Sequence, residues 1–183
     1  MNKRLKTMVE ATLIGVICYV LSTYLPTEIG PVTLILGMVP LILYGLKRGW
    51  VACFWASFIW CGVGLLLGHS HFLSLSQGLI EYVIAVLFGS VAGIFYRPMQ
   101  RALKNKKKPY GVLILASLCT CFSRFIWHFI AGVIFWANYA PKNMNPYLYS
   151  LVVNGLSGGI TALTAIIIGS LLLYKMPSFL KDK

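Results

Sequence analysis

The sequence predicts an all-α integral membrane protein built as a single bundle of six transmembrane helices. The composition is the first observation: 58% of the 183 residues are hydrophobic and 11% are charged, and the mean hydropathy is +0.80. Such values lie outside the range of ordinary soluble domains. The other two observations are six long apolar runs and the placement of basic residues between alternate runs.

The six apolar segments follow one another with short connectors. Each is long enough to cross the roughly 30 Å hydrocarbon core of a bilayer as a helix, which satisfies its backbone groups internally. No internal repeat or interdomain linker interrupts them, so residues 1–183 are expected to form one transmembrane domain. The segments lie near residues 8–24, 31–46, 49–67, 74–96, 110–137 and 147–174.

The basic residues predict the topology. Fourteen of the sixteen lysines and arginines lie before the first segment, between the second and third, between the fourth and fifth, or after the sixth. Because these residues are retained on the cytoplasmic side, both termini are expected to be cytoplasmic. The net charge of +12 is therefore attributed to topology and anionic headgroups, not to nucleic acid. The expected location is the cell membrane, as a multi-pass protein.

Metal, disulfide and nucleotide chemistry are not predicted. The five cysteines lie within predicted spans. Cys119 and Cys121 point to different faces of a helix, and no matching histidines complete a tetrahedral metal set. The sequence also lacks a glycine-rich phosphate loop with its lysine. No cofactor is expected.

Glu81 is the most informative residue. It is one of four acidic residues and lies in the apolar stretch 79–88. An ionisable side chain at membrane depth is costly, so it predicts a functional site that faces a cavity or a partner. Gln77 lies one helical turn earlier, and Tyr82 follows directly.

Two further helices place polar and aromatic residues in the same half of the membrane. Arg124, His128 and Trp136 are spaced four and eight residues apart, on adjoining parts of one helix face. Tyr149 and Asn154 lie near the start of the sixth helix. With the termini inside, these residues fall in the outer half of the bilayer. Three helices are therefore predicted to form one pocket.

Each of these residues also has a purely structural interpretation. Glu81 and Arg124 would then form an ion pair within the membrane. The aromatic residues, Trp136 and Tyr149 among them, would belong to the interfacial belt. His128 and Asn154 would be interhelical hydrogen-bonding residues. The convergence of all of them favours a ligand site.

The chemistry of this pocket suits a small, flat heteroaromatic amine or cation. Aromatic faces attract an organic cation, and a carboxylate accepts hydrogen bonds from an amine. No acid is placed to orient a histidine beside a serine, so a hydrolase is disfavoured. The alternative from another class is an intramembrane enzyme on a lipid substrate, with His128 and Glu81 as acid and base.

Three stretches make the sequence recognisable: residues 68–82 (GHSHFLSLSQGLIEY), residues 128–140 (HFIAGVIFWANYA) and residues 149–158 (YSLVVNGLSG). They closely resemble the thiamine-specific substrate-binding (S) component of energy-coupling-factor (ECF) transporters. The resemblance runs almost the whole length of the chain. The six helices and the chain length also match that family.

The resemblance implies a thiamine-binding subunit and not an enzyme. Such a subunit captures thiamine from outside and works with a transmembrane coupling protein and two cytoplasmic ATPases. By resemblance, Glu81 would hold the aminopyrimidine ring, and His128 and Trp136 would flank the thiazolium cation. The resemblance assigns the rest of the pocket to Tyr82, Tyr149 and Asn154, beside Gln77.

Two positions depart from the family pattern. A tryptophan expected before the second helix falls near Pro31, and a pocket tyrosine aligns with His71. An imidazole still stacks and donates a hydrogen bond. The departures leave open a second cargo, another pyrimidine-like or cationic vitamin.

Ala11 and Gly15 form a small-xxx-small pair on the first helix. Such a pair lets two helices approach closely. Related binding components use a small-residue pair on this helix to dock the coupling protein, so the resemblance assigns docking to Ala11 and Gly15. Packing within the bundle is the alternative.

Overall fold

The computed structural model describes residues 2–25, 27–68 and 73–182, and they form a helical bundle. The prediction of an all-α fold with six helices is confirmed. Short 3₁₀ turns lie at Ala137–Tyr139 and Pro177–Leu180. The helices are α1 (Lys3–Tyr24), α2 (Met38–Arg48), α3 (Trp50–Leu66), α4 (Leu75–Lys104), α5 (Tyr110–Phe135) and α6 (Pro146–Lys175).

Four of these helices, α1, α4, α5 and α6, are long and apolar enough to cross a membrane. Helix α3 is apolar but has 17 residues. Helix α2 has 11 residues and so rises only about 16 Å, roughly half of the hydrocarbon core. The bundle therefore combines full-length spans with one short helix.

A β-hairpin replaces the first part of the predicted second span. Strand β1 (Glu28–Ile29) pairs antiparallel with β2 (Val32–Thr33), although the prediction had helix-forming residues from position 31. Gly30 turns the chain at a φ of 59°, which glycine adopts without strain, and Pro31 follows it. The predicted boundary was therefore wrong, because turn chemistry outweighs the hydrophobicity of this segment.

Helix α4 is continuous but irregular. A π-helical section, Leu79–Ile84, and a 3₁₀ section, Phe88–Phe95, are separated by Ala85–Leu87 and followed by regular helix over Tyr96–Lys104. The sequence predicted a loop from Arg97 onwards. Instead, Met99 and Leu103, one turn apart, are buried at 0% and 2% exposure and extend the helix beyond the apolar run.

A glycine contact joins α4 to the connection between α2 and α3. A Cβ on Gly93 would lie 2.3 Å from the Cα of Trp50, so only glycine permits this approach. The short helix α2 lies at the centre of the bundle, where its residues Leu41, Ile42 and Leu46 are fully buried. Helix α4 is thereby held against the core, and this fixes the position of its polar residues.

The small-residue pair on α1 packs inside the bundle. Ala11 is 1% exposed, and a Cβ on Gly15 would lie 2.6 Å from the carbonyl oxygen of Ala56 on α3. The outer face of α1 carries larger residues such as Leu13, which is 59% exposed. The burial of Ala11 and the contact of Gly15 with α3 therefore support packing within the bundle, the alternative drawn from the sequence, and docking of a coupling protein at this pair stays a prediction.

Arg48 links three separate parts of the chain. Its Nε and Nη2 donate to the two carboxylate oxygens of Glu10 on α1, at 2.6 and 2.7 Å. Its Nη1 donates to Asp182 in the C-terminal segment, and that carboxylate also accepts a hydrogen bond from the hydroxyl of Tyr96 at 2.7 Å. The Arg48 side chain is 3% exposed. This arginine therefore stabilises the fold, in addition to being one of the basic residues that predict the membrane orientation.

Replacing Arg48 with methionine is expected to lower the free energy of unfolding by about 2 to 5 kcal/mol, because it leaves two carboxylates without their partner. Thermal unfolding of the purified protein in detergent measures the effect. Arg97→Met, at an exposed position of α4, is the matched control and should change little. Equal melting temperatures for the two variants would show that the Arg48 network does not stabilise the bundle.

Candidate functional site

A cavity of about 440 Å³ lies between the hairpin and the helices. This volume falls within the range of pockets that hold small organic ligands. Its wall is mixed, with hydroxyl, amide, imidazole and guanidinium groups beside aromatic and aliphatic ones. Residues that line it include Tyr19, Ser22, Glu28, Thr33, Ile35, Met38, Trp60, Tyr82, Arg124, Phe125, His128, Asn154, Ser157 and Thr161.

Three of the predicted site residues line this cavity, one from each of the helices that the sequence indicated. They are Tyr82 of α4, His128 of α5 and Asn154 of α6. The Nε2 atom of His128 is enclosed and has no hydrogen-bond partner in the part of the chain that the structure describes. This imidazole nitrogen is therefore available to a ligand.

Glu81 is held by two other predicted residues. Gln77 Nε2 donates to one carboxylate oxygen, and Trp136 Nε1 donates to the other at 2.8 Å. Arg124 is not within ion-pairing distance of this carboxylate, so the structure does not contain the ion pair considered from the sequence. A carboxylate has about four lone-pair sites, so Glu81 keeps the capacity to accept further hydrogen bonds.

The start of α4 fixes Gln77 in turn. Gln77 is fully buried, its Oε1 accepts a hydrogen bond from the backbone of Leu73 at 3.0 Å, and its own N–H donates to Ser74 at 3.2 Å. The amide can therefore present only its NH₂ group to Glu81. Serine capping at the helix start thus orients the carboxylate one turn further on.

Glu81 and Tyr82 both lie in the π-helical section Leu79–Ile84. In such a section, one extra residue per turn changes the direction of the side chains, and π-helical turns occur frequently at functional sites. The apolar sequence of this stretch gives no signal of the irregularity. Here it separates Glu81, which bonds Trp136, from Tyr82, which lines the cavity.

Asn154 makes the interhelical hydrogen bonds considered from the sequence. Its Nδ2 donates to the carbonyl of His128 at 3.3 Å and to the carbonyl of Ser150 at 3.1 Å, which ties α6 to α5. The residue also lines the cavity. The NH₂ group therefore serves the interhelical bonds, and the contact of Asn154 with a ligand stays a prediction.

Four of the predicted site residues are not among those that line the cavity: Glu81, Gln77, Trp136 and Tyr149. Tyr149 is half-buried near the start of α6. His71 lies outside the described residues. Trp136, which donates to Glu81, packs against Tyr139 with ring centroids 5.1 Å apart.

Two hydroxyl groups of α6 hold the hairpin against the cavity. Ser157 Oγ accepts from the backbone N–H of Thr33 at 3.0 Å, and Thr161 Oγ1 accepts from the N–H of Ile35 at 3.1 Å. A third bond runs from the N–H of Gly37 to Ser22 Oγ on α1, at 3.1 Å. These side chains replace the ladder bonds that a two-stranded hairpin lacks at its edge.

The attachment of the hairpin to α6 was not predicted from the sequence. Asn154, Ser157 and Thr161 recur at intervals of three and four residues and so form a polar stripe on an otherwise apolar helix. That stripe was the available signal. The hairpin itself gave only the weak signal of Gly30 followed by Pro31.

The fold and the cavity define a multi-pass membrane protein with a ligand-sized chamber between its helices, the class to which small-molecule transport proteins belong. The sequence model of the thiamine transporter protein family matches residues 8–181. The chain therefore belongs to the thiamine transporter protein family, which is a family of transporters and not of enzymes. The resemblance drawn from the three sequence stretches is confirmed at this level.

Individual relatives agree with this assignment. The chain is 35% identical to the thiamine transporter ThiT of Lacticaseibacillus paracasei, with 93% of this chain and 89% of the relative aligned. It is 26% identical to ThiT of Bacillus subtilis over 64% of this chain and 62% of that protein. The solved structure of ThiT from Listeria monocytogenes matches with a TM-score of 0.94 at 31% identity, over 99% of this chain and 100% of that one.

Ser157→Ala is expected to loosen the hairpin, because the N–H of Thr33 loses its acceptor. A lost hydrogen bond of about 1 kcal/mol corresponds to roughly fivefold faster amide exchange. Hydrogen–deuterium exchange of the peptide that contains Thr33 measures this change. Thr164→Ala is the control, since its hydroxyl bonds only within α6. Unchanged exchange in the Ser157 variant would contradict the attachment.

Proposed function

We propose that this protein is the thiamine-binding S component of an ECF-type importer in a bacterial plasma membrane. Thiamine would bind in the cavity bounded by the hairpin, α4, α5 and α6. The observation that carries the proposal is the Glu81 carboxylate, which Gln77 and Trp136 orient. Glu81 directly precedes Tyr82, which lines the cavity together with His128 and Asn154. Membership of the thiamine transporter family supports the choice of cargo.

The chemistry of the site suits thiamine. An aminopyrimidine presents an N–H donor to the free lone pairs of Glu81, and a charge-assisted bond of this kind is among the stronger ones. A thiazolium ring is a delocalised cation that gains from aromatic faces such as those of Trp136 and Tyr82. The imidazole of His128 adds a flat surface and an unpaired nitrogen.

Transport requires partners under this proposal. The sequence carries no phosphate-binding loop, so energy would come from two cytoplasmic ATPases through a membrane-embedded coupling protein. With fourteen of its sixteen basic residues on one side, both termini would be cytoplasmic. The end of α5 and the start of α6 would then face outward, where thiamine is captured.

Uptake of labelled thiamine by cells that express the chain with and without its coupling protein and ATPases tests the need for partners. Uptake is expected only in the complete system, while the isolated chain binds thiamine without turnover. Equal uptake by the chain alone would contradict the importer assignment and leave the binding assignment standing.

Glu81→Gln is expected to raise the Kd for thiamine by roughly 10-fold to 150-fold, the range for a lost hydrogen bond to a charged group. Titration of the purified protein, followed by the fluorescence of its five tryptophans, gives the constants. Thr164→Ala, whose hydroxyl bonds only within α6 and does not line the cavity, is the control and should leave the Kd unchanged. An unchanged Kd in folded Glu81→Gln would show that Glu81 does not hold the ligand.

Trp136 is expected to contribute in two separable ways. Trp136→Phe keeps a ring but removes the N–H that orients Glu81, so the affinity should fall by about 1 kcal/mol. Trp136→Ala also removes the aromatic face and should cost about 1 to 3 kcal/mol. Calorimetric titration of each folded variant measures both. Wild-type affinity in the alanine variant would remove Trp136 from the site.

The cargo itself is tested by competition. The wall near Pro31 lacks the aromatic residue that the family resemblance predicts, which favours a second candidate, another pyrimidine-like or cationic vitamin. Unlabelled thiamine should displace labelled thiamine at lower concentration than a pyrimidine fragment or an unrelated vitamin. A competitor stronger than thiamine would identify that compound class as the cargo.

A further inference from the structure

A second groove lies on the outside of the bundle, between α3 and α4. Its volume is about 360 Å³. Helix α3 supplies the aromatic residues Trp50 and Phe54 to its wall, and apart from the hydroxyl of Ser90 the α4 side is apolar. The α4 residues are Ile84, Leu87, Phe88, Ser90 and Val91. Because Trp50 is 51% exposed and Phe88 is 40% exposed, the groove is open to the surroundings of the protein.

This groove is separate from the ligand cavity. The cavity takes Tyr82 and Val86 from α4, whereas the groove takes residues such as Ile84 and Val91. No described residue lines both. The groove and the cavity therefore lie on different faces of α4, and the groove is not part of the proposed thiamine site.

The groove begins at the basic end of the bundle. Trp50 is the first residue of α3 and follows closely on Lys47 and Arg48, the basic residues that end α2. Gly93 of α4 lies at the same level, since a Cβ on it would come 2.3 Å from the Cα of Trp50. From there the groove extends towards the middle of α4, where Phe88 packs against Trp127 of α5 with ring centroids 5.2 Å apart.

Two arginines continue α4 beyond the groove. Phe88, Val91 and Ile94 are spaced by three residues in the 3₁₀ section of α4, where side chains three residues apart are aligned along the helix. Arg97 follows at the same interval, and Arg101 lies one α-helical turn further. Ile94 is 63% exposed, and both arginines are exposed. One row of side chains therefore passes from the apolar groove to two neighbouring positive charges.

The carboxylates of the chain are engaged or distant from these arginines. The sequence contains four acidic residues. Two of them bond to Arg48, and a third, Glu81, accepts hydrogen bonds from side chains of α4 and α5. The fourth, Glu28, lines the ligand cavity on the hairpin. An anion for the two arginines would therefore come from outside the chain, and anionic lipid headgroups bind to basic residues at a membrane surface.

We propose that the groove and the two arginines form a binding site for an anionic phospholipid. The phosphate group accepts hydrogen bonds from Arg97 and Arg101, whose planar sets of donors match phosphate oxygens. One acyl chain lies in the groove between Trp50 and Phe88. A phospholipid fits because it joins an anionic group directly to an apolar chain, in the same order as the arginines and the groove. The bound chain supports the irregular part of α4 from the face opposite to the ligand cavity.

The headgroup contact is tested by native mass spectrometry of the purified protein. Phosphatidylglycerol is anionic, and phosphatidylcholine with the same acyl chains is neutral overall. The wild type should bind one phosphatidylglycerol with a lower Kd than phosphatidylcholine. Arg97→Gln combined with Arg101→Gln should raise the Kd for phosphatidylglycerol by about 30-fold, the factor for two basic residues near an anionic surface. The Kd for phosphatidylcholine should stay unchanged.

The matched control is Lys106→Gln combined with Lys107→Gln, which removes the same charge from exposed positions after α4. It should leave both constants unchanged. The arginine variant should melt like the wild type in detergent without added lipid, because its positions are exposed. Wild-type affinity for phosphatidylglycerol in the arginine variant, or an equal loss in the lysine control, would overturn the proposal.

The acyl-chain contact is tested by Val91→Trp, which fills the groove. The Kd for both phospholipids should rise by at least about 10-fold, the factor for two methylene groups that are no longer buried. Leu163→Trp, at a 56% exposed position of α6, is the control and should bind lipid like the wild type. Unchanged lipid binding in a Val91→Trp protein that melts normally would overturn the proposal. If that variant loses only its assembly with a coupling protein, the groove contacts protein and the proposal is wrong.

Discussion

The site depends on the hydrogen bonds that hold the Glu81 carboxylate between α4 and α5. A charged group inside an apolar bundle persists only where donors compensate for the lost water. Gln77 and Trp136 supply two such donors, and Ser74 and the backbone of Leu73 fix Gln77. The carboxylate is therefore oriented before a ligand binds, which lowers the entropic cost of binding.

The cavity exists because one predicted span is shortened into a hairpin and a short helix. Helix α2 has only 11 residues, and Glu28, Pro31 and Thr33 of the preceding hairpin line the cavity. The hydroxyls of Ser157 and Thr161 hold the hairpin backbone in place of a neighbouring strand. The same α6 stripe includes Asn154, which ties α6 to α5. One face of α6 therefore holds both the hairpin and helix α5 at the cavity.

The sequence predicted much of this arrangement from hydrophobicity and from rare polar residues. Five residues stood out because a polar group in an apolar span is costly unless it has a partner or a function: Glu81, Gln77, Tyr82, His128 and Trp136. The structure brings Gln77 and Trp136 to Glu81, and not Arg124, the partner that the structural alternative considered. Regular periodicity cannot reveal a π-helical section, because that section depends on packing between helices.

Other features could not be predicted from the sequence, for different reasons. A hairpin of two-residue strands leaves no alternating pattern, so the segment that begins at Pro31 looked like part of a helix. The pair Ala11 and Gly15 fitted two interpretations, and only the position of α3 distinguishes them. The sequence indicated only an effect of Arg48 on membrane orientation, because its carboxylate partners, Glu10 and Asp182, are distant in sequence. Long-range pairing of this kind leaves no local signal.

A structure of the protein with thiamine bound would show directly whether Glu81 holds the ligand. We expect the amino group of thiamine within hydrogen-bonding distance of the Glu81 carboxylate, and the ligand in contact with Tyr82, His128 and Asn154. Thiamine located elsewhere, or located in this cavity with Glu81 still bonded to Gln77 and Trp136 alone, would show that Glu81 does not hold it.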